Sequence, residues 1–333
     1  LLSGGICNIY ESAAQNADGY YEIYSAGQLY WFAEQVNGGE KSINAVLMND
    51  IDLTNHTWTP IGVTAMGESV TDGYTGTFDG QGHVISNIMF AAPTSAMAAG
   101  IFGTVQSGGT VKNLGVENLT FDNNDHDHRA GGIAGQLLAG STISDCYVIN
   151  STVKASSRVV GGIVGMNRGT VKNCYTCNVT LAAYNNRFGG ISGDYSGGKL
   201  ENCYTDYSAL ASSEAGTTTN CEAGVSAERF ASGEIAYALG DSWGQTIGTD
   251  GCPVYGGATV YQVVNIGCPE QGEYVYSNVN EAVAAAHKYT NGFCACGEYE
   301  EAVQNADGYY VIDNAGKLFW FAELVNGGNN TIN

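Results

Sequence analysis

Positive charge is scarce in this sequence of 333 residues. Lysine and arginine together number 12, against 33 aspartates and glutamates, which gives a net charge of −21. A field of that sign repels phosphate backbones and anionic lipid headgroups. The sequence also lacks any run approaching the ~20 apolar residues of a membrane span. We therefore expect neither a nucleic-acid partner nor membrane insertion of this chain.

Proline is also scarce, with 4 residues against 47 glycines. Glycine supplies positive φ angles for tight turns, so this balance favours short strands over long helices. Hydrophobic residues make up 44% of the chain and include 21 tyrosines and 10 phenylalanines, too many for a disordered segment. The composition predicts a mostly β protein with a substantial core.

Several familiar catalytic motifs are missing. The sequence has no HExxH pattern, no Walker A loop and no dinucleotide-binding GxGxxG pattern after a strand. We therefore expect a protein that is not an enzyme and that needs no cofactor.

A long segment occurs twice. Residues 10–44 return as residues 299–333 at a constant offset of 289, and most positions are identical. The chain thus holds one full unit and the opening of a second. Because it starts at Leu1-Leu2-Ser3 without a methionine, we expect it to be a fragment of a larger tandem protein.

A shorter repeat lies inside the unit. The pattern Gly-Ile-x-Gly recurs at steps of 32, 30 and 28 residues, starting at residues 100, 132, 162 and 190. Each copy is followed by a turn and a strand-like piece, such as TVKNLG from Thr110 and TVKNCY from Thr170. Three short strands per ~30 residues are typical of a β-solenoid coil. The predicted fold class is all-β, a right-handed parallel β-helix with short helical caps at both ends.

The pattern divides the chain into five parts. A capping helix is predicted near Ala26 to Val36, and another short helix near Ser226 to Leu239. The predicted parts are an N-terminal segment with its capping helix (1–45), the solenoid (46–224), a C-terminal cap (225–268), a linker with a His/Cys tail (269–298) and the truncated second copy (299–333).

Stacked coils place equivalent residues above one another. We expect Cys146, Cys174 and Cys203 to form a buried column of reduced thiols. The preceding positions, Asn113, Asp145, Asn173 and Asn202, are expected to form a hydrogen-bonded ladder at a turn.

Two further sets of residues are candidate ligand-binding columns. Tyr147, Tyr175 and Tyr204 follow the cysteines and either pack across coils or bind sugar rings. Arg129, Arg158 and Arg187 are each 29 residues apart. They either form a rim paired with carboxylates or grip an anionic ligand.

The densest group of metal-ligating side chains lies between two coils. It comprises Asp122, Asp125, His126, Asp127 and His128. Carboxylates suit Ca²⁺ and histidines suit a transition metal, although EF-hand spacing is not met. The alternative is a solvated loop that projects between coils.

The coil motifs are similar to a known family. The GGIxG…GTVxNCY rounds, together with FDGQGHVISN at residues 78–87, resemble the GLUG-motif β-solenoids of surface proteins from gut Gram-positive bacteria. The stretch ASGEIAYAL…WGQTIGTDGCPV also resembles the segment after the coils in such proteins. The resemblance covers nearly the whole chain and implies an adhesin-like protein that is extracellular, either at the cell surface or secreted.

The tail HKYTNGFCACG resembles the HxYxxGxCxxCG tails of the same surface proteins. That resemblance implies a Zn²⁺ site formed by Cys268, His287, Cys294 and Cys296. The sequence departs from the pattern because Cys294 and Cys296 are separated by one residue instead of two. A disulfide or free thiols are the alternatives.

Three functions remain open at this point. The first is a non-catalytic, adhesin-like module that presents a solenoid face to a host or microbial glycan or to a surface protein. Duplication favours this function because avidity rewards repetition. The second is a carbohydrate-active β-helix enzyme, such as a polysaccharide lyase or glycosidase acting on acidic polysaccharide. The third is a structural stalk or filament unit whose partners are neighbouring copies of itself.

Overall fold

A parallel β-solenoid forms the body of the chain. The computed structural model describes residues 10–63, 73–90, 98–123, 129–155, 159–183, 187–194, 197–212 and 216–328. Four successive coils, residues 98–123, 129–155, 159–183 and 187–205, each contribute strands to the same four sheets. The sheets are parallel except where Ala14–Gln15 pairs antiparallel with Tyr20–Ile23. The predicted parallel β-helix is confirmed.

The sheets are numbered 1 to 4 in the order in which a coil passes through them. Sheet 1 contains Ala98–Ala99, Arg129–Gly131, Val159–Gly161 and Phe188–Gly189. Sheet 2 contains Phe102–Val105, Ala134–Leu137, Val164–Asn167 and Ser192–Asp194. Sheet 3 contains Ala14–Gln15, Tyr20–Ile23, Asn44–Leu47, Thr77–Asp79, Thr110–Lys112, Thr142–Ser144, Thr170–Lys172, Lys199–Glu201 and Thr217–Thr219. Sheet 4 contains Ile51–Asp52, Thr57–Trp58, Val84–Ser86, Met89–Phe90, Gly115–Glu117, Thr120–Asn123, Tyr147–Ala155, Tyr175–Ala183, Tyr204–Thr205 and Glu222–Ala223.

Each Gly-Ile-x-Gly repeat lies at the corner between sheets 1 and 2. The backbone N–H of Ile133 donates to Ile163, and that of Ile163 donates to Ile191, so the isoleucines stack in register as predicted. A Cβ on Gly132 would lie 2.6 Å from the carbonyl oxygen of Gly162, closer than real Cβ contacts allow. The corner splits the expected single strand in two, and a full coil therefore passes through four sheets where the sequence predicts three strands.

The predicted columns follow the coils. Cys146, Cys174 and Cys203 are fully buried in the solenoid core, which confirms the inward cysteine column; their reduced state stays a prediction. Asn173 donates to Asp145 and accepts from Asn202 across neighbouring coils. These three residues have φ angles of 51–54°, a left-handed conformation that asparagine and aspartate tolerate better than most residues. The ladder at the turn is therefore confirmed.

Helix α1, Ala26–Asn37, covers the first turn of the solenoid. The side chain of Ser25 caps the helix by accepting from the backbone N–H of Gln28. The ring centroid of Phe32 lies 6.0 Å from that of Phe78, inside the core. The predicted apolar face is buried: Leu29, Phe32, Ala33 and Val36.

The chain after the last coil runs along the outer side of the solenoid. Helices α2, Ala227–Ala231, and α3, Glu234–Leu239, form the C-terminal cap and lead into a hairpin of Trp243–Gly244 with Val254–Tyr255. This cap contributes to a second hydrophobic cluster that is separate from the solenoid core. It therefore packs on the side of the coils as well as following them, and we call this part of the chain, residues 225–268, the C-terminal flank.

The linker and the second copy complete the described chain. The strand Tyr261–Val264, in the C-terminal cap, pairs antiparallel with Tyr274–Ser277 of the linker. The linker also holds the antiparallel pair Tyr289–Thr290 with Phe293–Cys294 and a 3₁₀ turn at Pro269–Gln271. Helix α4, Ala315–Asn326, repeats α1. No helix of the described residues combines the length and the apolar character of a membrane span.

The two copies of the repeated segment share local contacts but not burial. The rings of Tyr10 and Tyr30 lie 5.2 Å apart, and their equivalents Tyr299 and Phe319 lie 5.6 Å apart. Leu29 is 0% exposed, whereas its equivalent, Leu318, is 54% exposed. The second copy therefore keeps the local structure of the cap and leaves its apolar face uncovered.

Candidate functional site

The tyrosine row lies on the outer face of sheet 4 but is covered. Tyr147, Tyr175 and Tyr204 are 9%, 1% and 8% exposed. The ring of Tyr175 stacks on that of Tyr147 with centroids 5.4 Å apart, and Trp243 packs edge-on against both rings. The hydroxyl of Tyr175 donates to the carbonyl oxygen of Pro253. The row therefore packs across coils and under the C-terminal flank, and it offers no open ring face for stacking sugars.

The arginine column is described at two of its three members. Arg129 is in register with Val159 on the next coil. Arg158 itself lies outside the described residues. Arg187 forms an ion pair with Asp194 on sheet 2, as expected for a carboxylate-paired rim. Anion binding by these residues stays a prediction.

The predicted acidic and histidine cluster is described only at its first residue. Asp122 is exposed, and its carboxylate lies 3.8 Å from the ammonium group of Lys154 on the neighbouring coil. Asp125, His126, Asp127 and His128 lie outside the described residues. The Ca²⁺ or transition-metal site at this loop stays a prediction.

The structure brings the four residues of the His/Cys tail together. Cys268 follows the strand Tyr261–Val264. Its backbone N–H donates to the carbonyl oxygen of Ala285, two residues before His287, and this bond brings Cys268 close to His287. The hairpin of Tyr289–Thr290 with Phe293–Cys294 then turns Cys294 and Cys296 towards the same point. The ligand atoms of Cys268, His287, Cys294 and Cys296 all lie within 4.8 Å of one another.

The spacing of these four side chains fits a tetrahedral zinc site. The sulfurs of Cys268 and Cys294 are 3.5 Å apart, and Nδ1 of His287 lies 3.2 Å from the sulfur of Cys296. Zinc–sulfur bonds of ~2.3 Å in a tetrahedron place two sulfurs about 3.8 Å apart. The single residue between Cys294 and Cys296 therefore does not prevent the four ligand atoms from converging.

Hydrogen bonds favour the thiolate of Cys294. The backbone N–H of Cys296 is the main donor, His287 and the other two thiols add to it, and burial opposes them. The pKa of Cys294 falls to about 6. Zinc binds cysteine as thiolate, so this environment suits a metal ligand.

The cluster adjoins the start of the second copy. Phe293, next to Cys294, packs edge-on against Phe319 of α4 with ring centroids 5.5 Å apart. The backbone N–H of Gly316 donates to the carbonyl oxygen of Asn291, in the turn of the same hairpin. The four side chains therefore sit at the joint between the two units.

An exposed polar face lies on sheet 4, beyond the tyrosine row. Thr120, Thr152 and Thr180 are in register on three coils and point outward, and none of them is buried. Two residues earlier on the same strands, the exposed amides of Asn150 and Asn178 are hydrogen-bonded to each other. We call these two columns, with Asn118 at the start of the second, the Asn/Thr face. Alternation of side chains along the strands predicts outward hydroxyls here, but no motif in the sequence marks the face.

A groove separates the Asn/Thr face from the C-terminal flank. It has a volume of about 450 Å³. Its walls include Glu117 and Asn150 from the coils and Thr249 and Asp250 from the flank. Polar groups from two different parts of the chain therefore line one concave surface beside the face.

A GxSxG match, GDSWG, occurs at residues 240–244. In serine hydrolases this motif makes a strand-to-helix turn that exposes the serine. Here it follows helix α3 and leads into the strand Trp243–Gly244, the opposite order. The match therefore does not have the structural context of a nucleophile.

Comparison with known proteins gives distant similarities. No family model matches the chain. Halomucin of Haloquadratum walsbyi is 28% identical over 151 residues, which are 45% of this chain and 2% of halomucin. The crystal structure of a proposed immunoglobulin A1 protease from Bacteroides ovatus has a TM-score of 0.49 and 20% identity over 74% of this chain and 95% of that one. Neither protein's activity transfers to this chain at this level of similarity. Membership of the GLUG-motif family and an origin in a gut bacterium stay predictions.

Proposed function

We propose that this chain is a repeat unit of an extracellular, adhesin-like protein that binds neutral glycans through the Asn/Thr face and does no chemistry on them. The repeated unit and the similarity to a protein named as a mucin support an extracellular role. The single observation that carries the binding function is the Asn/Thr face itself, three coils in register with exposed amides and hydroxyls beside a groove.

The chemistry of the face suits sugar hydroxyls. Asparagine amides and threonine hydroxyls both donate and accept hydrogen bonds, as a hydroxyl-rich ligand requires. In-register strands repeat these groups every ~4.8 Å along the solenoid. The net charge of −21 disfavours acidic glycans, so neutral ones are the expected class. Each contact is weak, and duplicated units supply avidity.

The test is a comparison of two double variants on a glycan array. Thr152→Arg with Thr180→Arg places two bulky side chains on the face. Thr142→Arg with Thr170→Arg is the matched control, because these threonines are also in register on neighbouring coils, but on sheet 3. We expect wild type and control to bind the same neutral glycans within about twofold, and the face variant to lose at least tenfold.

Other results would overturn the proposal. Equal binding by all three proteins places the site elsewhere on the surface. No binding by wild type favours the structural stalk. Release of new sugar ends from neutral or acidic polysaccharides favours the carbohydrate-active enzyme.

We also propose that Cys268, His287, Cys294 and Cys296 bind one Zn²⁺ that stiffens the joint between units. The observation that favours this is the convergence of four ligand atoms beside the Phe293–Phe319 contact. Much of the linker is exposed, so it has little core of its own, and small segments of this kind often depend on a structural metal. Bound zinc there would supply folding free energy and no catalysis.

Metal analysis of the full chain tests this second proposal. We expect one zinc per chain, lost in Cys294→Ser and retained in Cys221→Ser, whose half-buried thiol lies in the solenoid. Chelation should increase proteolysis within residues 269–298 and leave the coils intact. Absence of zinc from the wild type, or equal zinc in both variants, contradicts the proposal.

A further inference from the structure

Cys177 and Cys252 lie close together although they belong to distant parts of the chain. Cys177 lies on the outer face of the strand Tyr175–Ala183, and Cys252 lies in the hairpin loop of the C-terminal flank. Their sulfurs are 2.8 Å apart although the residues are separated by 75 positions in the chain. A disulfide bond has a sulfur–sulfur length of ~2.05 Å, so only a small local adjustment separates this pair from a bond.

The surroundings hold the pair in place. The hydroxyl of Tyr175, two residues before Cys177, donates to the carbonyl oxygen of Pro253, next to Cys252. The loop is further shaped by Gln245, whose side chain donates to the carbonyl oxygen of Asp250 at 2.8 Å. Both chain segments are therefore fixed on either side of the two sulfurs, so few conformations are lost when the bond forms.

The thiols also differ in acidity. Their mutual hydrogen bond lowers the pKa of Cys252 and raises that of Cys177, while burial opposes ionisation of both. Both side chains are half-buried and line the groove beside the Asn/Thr face, so a small reagent can reach them. Cys252 is therefore the thiol that ionises more readily.

We propose that Cys177 and Cys252 form a disulfide that fastens the C-terminal flank to the solenoid. The Cys252 thiolate attacks a small-molecule disulfide and releases one thiolate from it. Cys177 loses its proton to solvent and attacks the sulfur of Cys252 in the mixed disulfide, which releases the second thiolate. Two protein thiols are oxidised, and one small disulfide is reduced to two thiols.

The cysteine column provides an internal contrast. Cys146, Cys174 and Cys203 are on adjacent coils, at a spacing that a disulfide tolerates. Their side chains, however, point in the same direction within a closed core and are fully buried. The same oxidant should therefore leave them reduced.

Peptide mapping of the full chain under non-reducing conditions tests the proposal. After incubation with glutathione disulfide, we expect the peptide linking Cys177 to Cys252 in at least tenfold excess over any peptide linking two column cysteines. Oxidation should raise the midpoint of thermal unfolding of wild type. It should not do so in Cys252→Ser or Cys177→Ser, whereas Cys221→Ser should behave as wild type.

Two results would contradict the proposed disulfide. A protein in which Cys177 and Cys252 stay free after oxidation, or pair with other cysteines, overturns the proposal. The mapping does not depend on glycan binding. A chain that forms the bond but binds no glycan separates this inference from the proposed function.

Discussion

The repeated segment allows one substitution to be made twice in the same chain, with and without a solenoid beneath it. Phe32 in α1 and Phe321 in α4 are equivalent residues at the offset of 289. Phe32 is 0% exposed and packs among the rings of Tyr74 and Phe78. Phe321 is half-buried and packs against Tyr310 of its own segment. Truncation to alanine should therefore have very different costs at the two positions.

The loss of unfolding free energy on truncation depends on how deeply the phenylalanine ring is buried. Removing a fully buried phenylalanine ring costs about 3–5 kcal/mol, from lost transfer free energy and the cavity left behind. Phe32→Ala should lower the free energy of unfolding of the solenoid by that amount, because α1 closes the first coil and each coil is stabilised by its neighbours. Phe321→Ala removes contacts only within the second copy, so it should change the solenoid transition by less than ~0.5 kcal/mol.

Urea unfolding followed by the β-sheet circular dichroism signal measures both values. The transition of Phe32→Ala should shift to lower urea, and that of Phe321→Ala should coincide with wild type. Equal shifts for the two variants, or a loss below ~1 kcal/mol for Phe32→Ala, would refute the claim that α1 caps the solenoid.

Three further predictions concern the coils. Gly132→Ala should lower the free energy of unfolding by about 1–3 kcal/mol, because its Cβ would meet the carbonyl oxygen of Gly162, whereas Gly251→Ala, with open space around it, should be neutral. Asn173→Ala should cost about 1–2 kcal/mol more than Asn173→Gly, since its φ of 51° strains alanine. Burial raises the pKa of Tyr204 to about 12. The contribution of Tyr204 to stability should therefore be complete below pH 10 and lost as the pH rises through 12. Ultraviolet titration of wild type against Tyr204→Phe checks the pKa.

Much of the solenoid is predictable from its repeats because stacking turns sequence spacing into spatial register. The Gly-Ile-x-Gly steps give the coils, and the aligned Cys146, Cys174 and Cys203 give an inward column. Local rules also suffice for α1, where Ser25 and the Asn37-Gly38-Gly39 sequence mark both ends. Each of these features depends on neighbouring residues or on one constant repeat.

The site is harder to predict because it depends on contacts between distant segments. Nothing in the spacing of Tyr147 and Tyr175 shows that Trp243, from the flank, covers them. Even spacing in the sequence does not by itself fix register, since the coils differ in length and Arg129 pairs with Val159. The approach of Cys177 to Cys252 has no local signal of any kind.

The central claim is that the Asn/Thr face binds glycans without cleaving them. Immobilised neutral glycan, exposed in turn to wild type, Thr152→Arg/Thr180→Arg and Thr142→Arg/Thr170→Arg, measures binding by interferometry while the eluate is assayed for released sugar. We expect binding by wild type and the sheet 3 control, at least tenfold weaker binding by the face variant, and no released sugar. Binding that survives in the face variant, or sugar released by wild type, would contradict it.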